Sequence, residues 1–406
     1  SHAVKALADL LLLCNSQAAF RPAGPEVSFR AATPTVASSH RRSQVGRAFA
    51  PKMSTPLTEL TPAVDKFPLS PSEADVELSI RADQKAPKGP DPFKLIEKDL
   101  KPVTRALSDL IESNPILKKS ASRFMAKKQG KQYHATTVAM VGRALSKEDA
   151  PESMASRQLQ LAQVTEMIQV ANLVHEKIND DREMKEVQML VLAGDYLLSK
   201  ASVALAGLQD QQVVELIASA LASTVEGRWM EGEKIPMQAE TKEEVSVDID
   251  HYLRRTYLKT ASLFSLGCKS SALLAGYQDS DAIITAAEAF GYHLGMAYQI
   301  VEDILDFKEA CAKPKKAEMG SYLLSAPILY ASEAEPSLKA FIERSFENDG
   351  DIQKAIEIAK DTDGMSKSYN LAEFHAHKAL DALTGFSDSE SREALVILVH
   401  RVLSRK

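Results

Sequence analysis

The sequence predicts an all-α protein, and three observations lead there. Over residues 92–406 apolar positions recur at helical spacing, while the strict alternation of a half-buried strand is nearly absent. Several of these stretches, such as 190–208 and 283–305, are long and dense in Ala and Leu. A helix with so broad an apolar surface has to be covered on several sides, as in the middle of a large bundle. Aromatic residues make up only 6% of the chain, so the core falls to Leu, Ala, Ile, Val and Met. No fixed-period repeat favours a solenoid.

The 406 residues divide by composition. Eleven of the 18 prolines lie within the first 92 residues. Residues 1–50 carry Lys5, Arg21, Arg30, Arg41, Arg42 and Arg47 against only Asp9 and Glu26, in a background of Ser, Ala and Thr. That bias predicts an organelle-targeting leader. The apolar run from Ala8 to Cys14, followed by Ala18-Ala19-Phe20-Arg21-Pro22, resembles a two-part plastid leader, with a mitochondrial address as the alternative. Residues 51–91, rich in Pro, Ser and Thr, read as a disordered linker. The helical domain is expected over 92–406.

Composition also excludes several classes. The net charge of -6 carries no basic block of the size that binds nucleic acid. Cys14, Cys268 and Cys311 are too few and too scattered for a disulfide framework or a thiolate metal site. The apolar runs are far shorter than the roughly 20 residues of a spanning helix, so no transmembrane segment is predicted.

Along the body, Pro92 opens a helix whose Phe93, Ile96 and Leu100 form an apolar stripe. Helices are then expected at 154–180, 187–207, 211–231, 249–275, 279–307 and 385–405. Trp229 and the Ala-Leu faces of 190–208 and 211–225 are expected to be core rather than interface.

The segment from Gly291 to Phe307 is the most informative. Glu302 and Asp306 lie four residues apart on one helix face, Asp303 stands beside them, and Gln299 is one turn earlier. Carboxylates crowded on a largely apolar helix repel one another and call for an opposing cation, for which oxygen-coordinated Mg²⁺ is a candidate. A second segment runs from Glu166 to Asp180, where Met167, Ala171, Val174 and Ile178 keep helical spacing. One continuous helix would place Glu176 and Asp180 on a shared face, with the cation Lys177 beside them.

Taken together, these segments resemble the trans-isoprenyl diphosphate synthases, especially the long-chain polyprenyl (solanesyl-type) and geranylgeranyl enzymes, over about residues 92–406. Glu302-Asp303-Ile304-Leu305-Asp306 is similar to the family's second Asp-Asp-x-x-Asp motif. The stretches 192–198 and 257–263 and the block Gly295-Met296-Ala297-Tyr298-Gln299 match further family blocks in family order. The resemblance implies the isoprenoid synthase fold, a large helical bundle around a central cavity. It further implies catalytic roles for Lys259 and Gln299, diphosphate binding by Lys131, and Mg²⁺ ligation by Glu302, Asp303, Asp306, Glu176 and Asp180. The expected partner is an intact isoprenyl diphosphate synthase subunit or a second copy of the chain, since family members usually dimerise.

Several family positions depart from the pattern. The first motif reads Glu176-Lys177-Ile178-Asn179-Asp180, with lysine in place of an acid. The loop that follows carries Arg182 alone instead of an arginine pair. Gln169 stands where the family has histidine, and His134 stands where Gly130-Lys131-Gln132-Tyr133 would lead to arginine. Arginine stays charged and forks onto phosphate oxygens, which a neutral imidazole cannot do. His134 is therefore expected to be an ordinary surface histidine, and Lys315 and Lys316 solvated loop charges.

Losing two phosphate or metal contacts of about 2–3 kcal/mol each would slow ionisation of an allylic diphosphate by roughly 10³-fold or more. A catalytically weak or silent subunit that supports or regulates an intact partner synthase is the leading expectation. An active polyprenyl diphosphate synthase is the first alternative, and a structural subunit of an unrelated organelle complex the second.

Overall fold

A computed structural model describes residues 66–72, 87–113, 115, 118, 132–147, 151–176, 178, 183–232, 248–312, 324–344, 346, 348 and 350–405. All of them fall in the compact unit Thr61–Lys406. The expected leader and most of the expected linker lie outside them. Among the described residues there is no strand, as the missing alternation predicts.

The chain enters the bundle at Asp91. Its Oδ1 accepts from the backbone N–H groups of Phe93 at 3.0 Å and Lys94 at 3.3 Å, capping α1, Pro92–Leu95. Proline suits this first turn because its missing N–H would have no partner there. After a break at Ile96, α2 covers Glu97–Ser113, and Ile96 and Leu100 are buried as the stripe predicts.

The middle of the bundle comprises α3 (Tyr133–Leu145), α4 (Glu152–His175), α5 (Met184–Gly207) and α6 (Gln211–Gly232). Next come α7 (Ile249–Thr256), a five-residue π-helical turn Tyr257–Ala261, and α8 (Ser262–Leu274). The long central helix α9 spans Ala282–Ala312. The remainder consists of α10 (Ala326–Ala334), α11 (Ser337–Glu343), α12 (Asp351–Lys360), α13 (Gly364–Ala382) and α14 (Glu390–Leu403). Helix α9 packs on α8 and α13, α4 packs on α5 and α3, and α14 closes over α3.

Three expectations are corrected. The helix expected over 154–180 ends at His175, where the Glu176 N–H returns to the carbonyls of Asn172 and Val174. Glu176 is thus the cap of α4, and Asp180, expected on the same helical face, lies outside the described residues. The helix expected over 249–275 is interrupted by the π turn; its side chains are buried nearly all round, so the apolar period gives no sign of the extra residue. Trp229, expected in the core, is 58% exposed.

Within the stretch expected as a linker, residues 66–72 touch the bundle at particular points. The Lys66 ammonium pairs with buried Glu288 at 2.6 Å, and the Phe67 ring meets Tyr292 at 5.1 Å between centroids. The Leu69 carbonyl lies 3.1 Å from His375 Nε2. A carbonyl can only accept, so His375 carries its proton on Nε2 and its Nδ1 is a lone pair. The other Nδ1 of the 2.9 Å contact between the two imidazoles, that of His293, must then be the donor. Both imidazoles are buried, and burial holds both in the neutral form.

Candidate functional site

The site lies where α9, the π turn and the end of α4 meet. Along α9 the side chains of Gln299, Glu302, Asp303 and Asp306 follow one another in helical register. Asp303 is held from two sides: Tyr252 of α7 donates its hydroxyl to Oδ2 at 2.8 Å, and the Gln299 amide donates to Oδ1 at 2.7 Å. Thr260 of the π turn donates in turn to the Gln299 carbonyl oxygen at 2.7 Å, which fixes the orientation of that amide. Burial raises the pKa of Asp303, and Arg255, Gln299, Tyr252 and Lys259 oppose the rise. Burial and Asp303 push the Tyr252 hydroxyl well up, so it remains a donor.

Asp306 is the most exposed of the three acids. Its carboxyl is raised to about 7, first by partial burial and then by the negative charges of Asp303, Glu302, Glu309 and Glu176. Carboxylates from two elements therefore crowd one another across the site. Glu302 forms an ion pair with Arg405, just beyond α14. The Arg405 guanidinium is seated over two rings, 4.6 Å from the centroid of Tyr298 and 5.3 Å from that of Tyr133. No spacing in the sequence could have linked Arg405 to Glu302.

Opposite α9, Glu176 faces two cations, Lys259 Nζ at 3.5 Å and Arg228 Nη2 at 4.0 Å. Arg228 also donates to the Asn172 carbonyl, which ties α6 to the last turn of α4. Lys259 sits on the π turn, so the widened turn serves both halves of the site: Thr260 reaches Gln299 and Lys259 reaches Glu176. Next to Glu176, the His175 ring fits a notch in α5 and lies 3.3 Å from the Val191 carbonyl. The notch exists because residue 194 is glycine, where an added Cβ would stand 2.0 Å from His175 Nε2. Gly194→Ala is expected to displace the ring and destabilise the protein by about 1–3 kcal/mol, read as a lower urea midpoint.

The sequence-predicted residues thus divide. Glu302, Asp303, Asp306, Gln299, Lys259 and Glu176 are brought together, whereas Lys131, Asp180 and Lys177, like Lys315 and Lys316, lie outside the described residues. His134 is a correction: it is buried, 3% exposed, and stacked on Phe264 with centroids 3.8 Å apart. It stands in the first turn of α3, a helix buried along nearly its whole length, which is why it lies in the core.

In kind, the donors fit a divalent cation. They are hard oxygens from facing elements, and their mutual repulsion, felt by Asp306, is what such an ion relieves. They form no closed cage, since among the described residues no three ligating side chains converge on one point.

A wholly helical bundle with an acid-lined central helix facing a lysine-bearing turn defines the isoprenyl synthase class of fold. The polyprenyl synthetase family model matches residues 114–359. Decaprenyl-diphosphate synthase of Dictyostelium discoideum is 34% identical over 347 residues, covering 78% of this chain and 72% of that protein. Solanesyl-diphosphate synthase 1, mitochondrial, of Oryza sativa subsp. japonica is 32% identical over 365 residues, covering 82% and 83%. The apo Arabidopsis medium/long-chain length prenyl pyrophosphate synthase superposes with a TM-score of 0.64 at 32% identity, covering 78% of this chain and 99% of that one. This chain belongs to the polyprenyl synthetase family.

Proposed function

We propose that this chain is a polyprenyl diphosphate synthase-like subunit with little or no activity by itself, which supports or regulates an intact partner synthase in isoprenoid or quinone side-chain synthesis. The observation that carries this is the occupancy of the acids by the protein's own cations: Lys259 and Arg228 face Glu176, and Arg405 pairs with Glu302. Buried His134 offers no fork for a second diphosphate. Polyprenyl synthetases generally depend on Mg²⁺, which here Glu302, Asp306 and Glu176 would hold and which, when bound, would stabilise a departing diphosphate. The other residues have work of their own: Tyr252 and Gln299 fix Asp303, and Thr260 fixes Gln299.

An exposed apolar face supports association with a partner or with a second copy. On α5, Leu192, Tyr196 and Val203 are 57%, 37% and 73% exposed, and Trp229 of α6 adds to the apolar surface. Side chains of this size are depleted from free surfaces and enriched where proteins meet. Helix α5 is also long and apolar enough, by length and composition, to cross a membrane. Its other face, with Leu190, Leu197 and Leu205, is buried in the bundle, which accounts for its hydropathy without a bilayer.

The active reading is favoured by the relatives, which are named as synthases. The mitochondrial rice relative supports an organelle address; the plastid reading rests on the likeness of residues 8–22 to a two-part plastid leader, with mitochondrion the alternative. The purified chain, given Mg²⁺, an allylic diphosphate and isopentenyl diphosphate, is expected to turn over about 10³-fold more slowly than the same chain reconstituted with an intact synthase. Robust long-chain product from the chain alone would overturn the proposal in favour of the active reading.

A further inference from the structure

We infer that Glu302 is a cation-exchange point, occupied either by the guanidinium of Arg405 or by a divalent metal, so that metal enters this half of the site only when Arg405 leaves. The inference rests on the proposed function above, in that it names a control on the same site.

Three observations carry it. First, the ion pair itself directs Arg405 at Glu302 and not at its neighbour: Asp303 already has both oxygens engaged, while Glu302 receives Arg405. Second, Arg405 has a seat of its own, since the faces of Tyr298 and Tyr133 attract a cation beside Glu302. Third, the mount is asymmetric. One turn earlier Arg401 grips Asp91 through two bonds of 2.9 and 2.6 Å, so α14 is fixed to the start of the bundle. Arg405 lies past the end of α14 at Leu403, outside the helical hydrogen-bond ladder.

The two side chains are 22% and 25% exposed, although the paired Glu302 Oε1 is itself shielded from water. A guanidinium and a divalent ion on one carboxylate repel each other, so occupation by one opposes the other. The aromatic seat would hold Arg405 near the site after it has let go of Glu302.

The test uses the full chain and Mn²⁺ as the probe, with free Mn²⁺ followed by electron paramagnetic resonance. Arg405→Gln is expected to tighten Mn²⁺ binding about tenfold, whereas Arg405→Lys, which keeps the charge, stays near the unmodified protein. Adding Glu302→Gln to Arg405→Gln is expected to remove the gain. Equal or weaker binding by Arg405→Gln, or a gain that survives Glu302→Gln, would overturn the inference. On the unmodified protein, saturating Mn²⁺ should speed amide hydrogen exchange at Ser404, whose N–H bonds the His400 carbonyl at 3.0 Å, while leaving the body of α14 protected. Unchanged exchange there would count equally against it. Product synthesis by the chain alone is scored separately: an active chain sinks the low-activity proposal, and only the Mn²⁺ results bear on the exchange at Glu302.

Discussion

Replacing Gly291 by alanine is expected to destabilise the protein by about 3 kcal/mol or more, enough to remove much of a typical domain's margin. An alanine Cβ at this position would stand 2.4 Å from the Phe264 carbonyl oxygen and 2.8 Å from the Cα of Ser265. These are backbone atoms of α8, so no rotamer change can relieve the clash. The two helices would have to separate, and with them the bond from the Ser265 hydroxyl to the Glu288 carbonyl at 3.0 Å. One turn along, Gly295 makes the same close approach to Ala261 of the π turn. Urea unfolding checks this, with Gly385→Ala as a comparison, since a Cβ there meets only Ala286 Cβ at an ordinary 3.4 Å. An unchanged midpoint for Gly291→Ala would show that α8 and α9 part freely.

Acidification is the second large effect. Burial lowers His375 to about 3, and burial, His375 and Lys378 lower His293 well below the usual imidazole range. Both are neutral in the fold and take up a proton more readily once unfolded. Their contribution is therefore complete above the unfolded value near 6.5 and is lost as pH falls from there toward the folded value. Between pH 6.5 and 5 His375 alone should remove about 2 kcal/mol. Asp306, held near 7 in the fold, opposes this over the same range, so the expected result is a difference: relative to His375→Gln, the urea midpoint of the unmodified protein is constant from pH 8 to 7 and falls toward pH 5. His375→Gln places an amide N–H at about the reach of Nε2 for the Leu69 carbonyl and does not titrate, so its own profile lacks this fall. The same acid range should loosen residues 66–72, whose Leu69 carbonyl is bound by this pair.

The fold was legible because most helices bury a broad, continuous face, and that periodicity survives even where helix ends are misplaced. The acid wall was legible for a related reason: Gln299, Glu302, Asp303 and Asp306 belong to one uninterrupted helix, so spacing fixes their geometry. The other half of the site depends on features that spacing does not encode. The last turn of α4 ends at His175, and Glu176 just past it meets Lys259 and Arg228 from elements distant in sequence. Arg405 reaches Glu302 through the closure of the whole bundle. His134 and Trp229 exchanged their expected places for packing reasons: α3 is enveloped by its neighbours, whereas α5 and α6 leave one side uncovered.

The π turn at Tyr257–Ala261 sets helical regularity against chemistry. Deleting one of its residues would yield an unbroken α-helix, a change that propensity alone would welcome. A π turn takes up one residue more than an α turn, so the flanking helices would keep nearly their places and the loss would fall on the turn itself. The segment would then present a different side chain to Glu176 and another to Gln299. Single-residue deletions, tolerated in surface loops, should be selected against here even when the mutant helix is the better helix, so that the segment's length is constrained more tightly than its residue types.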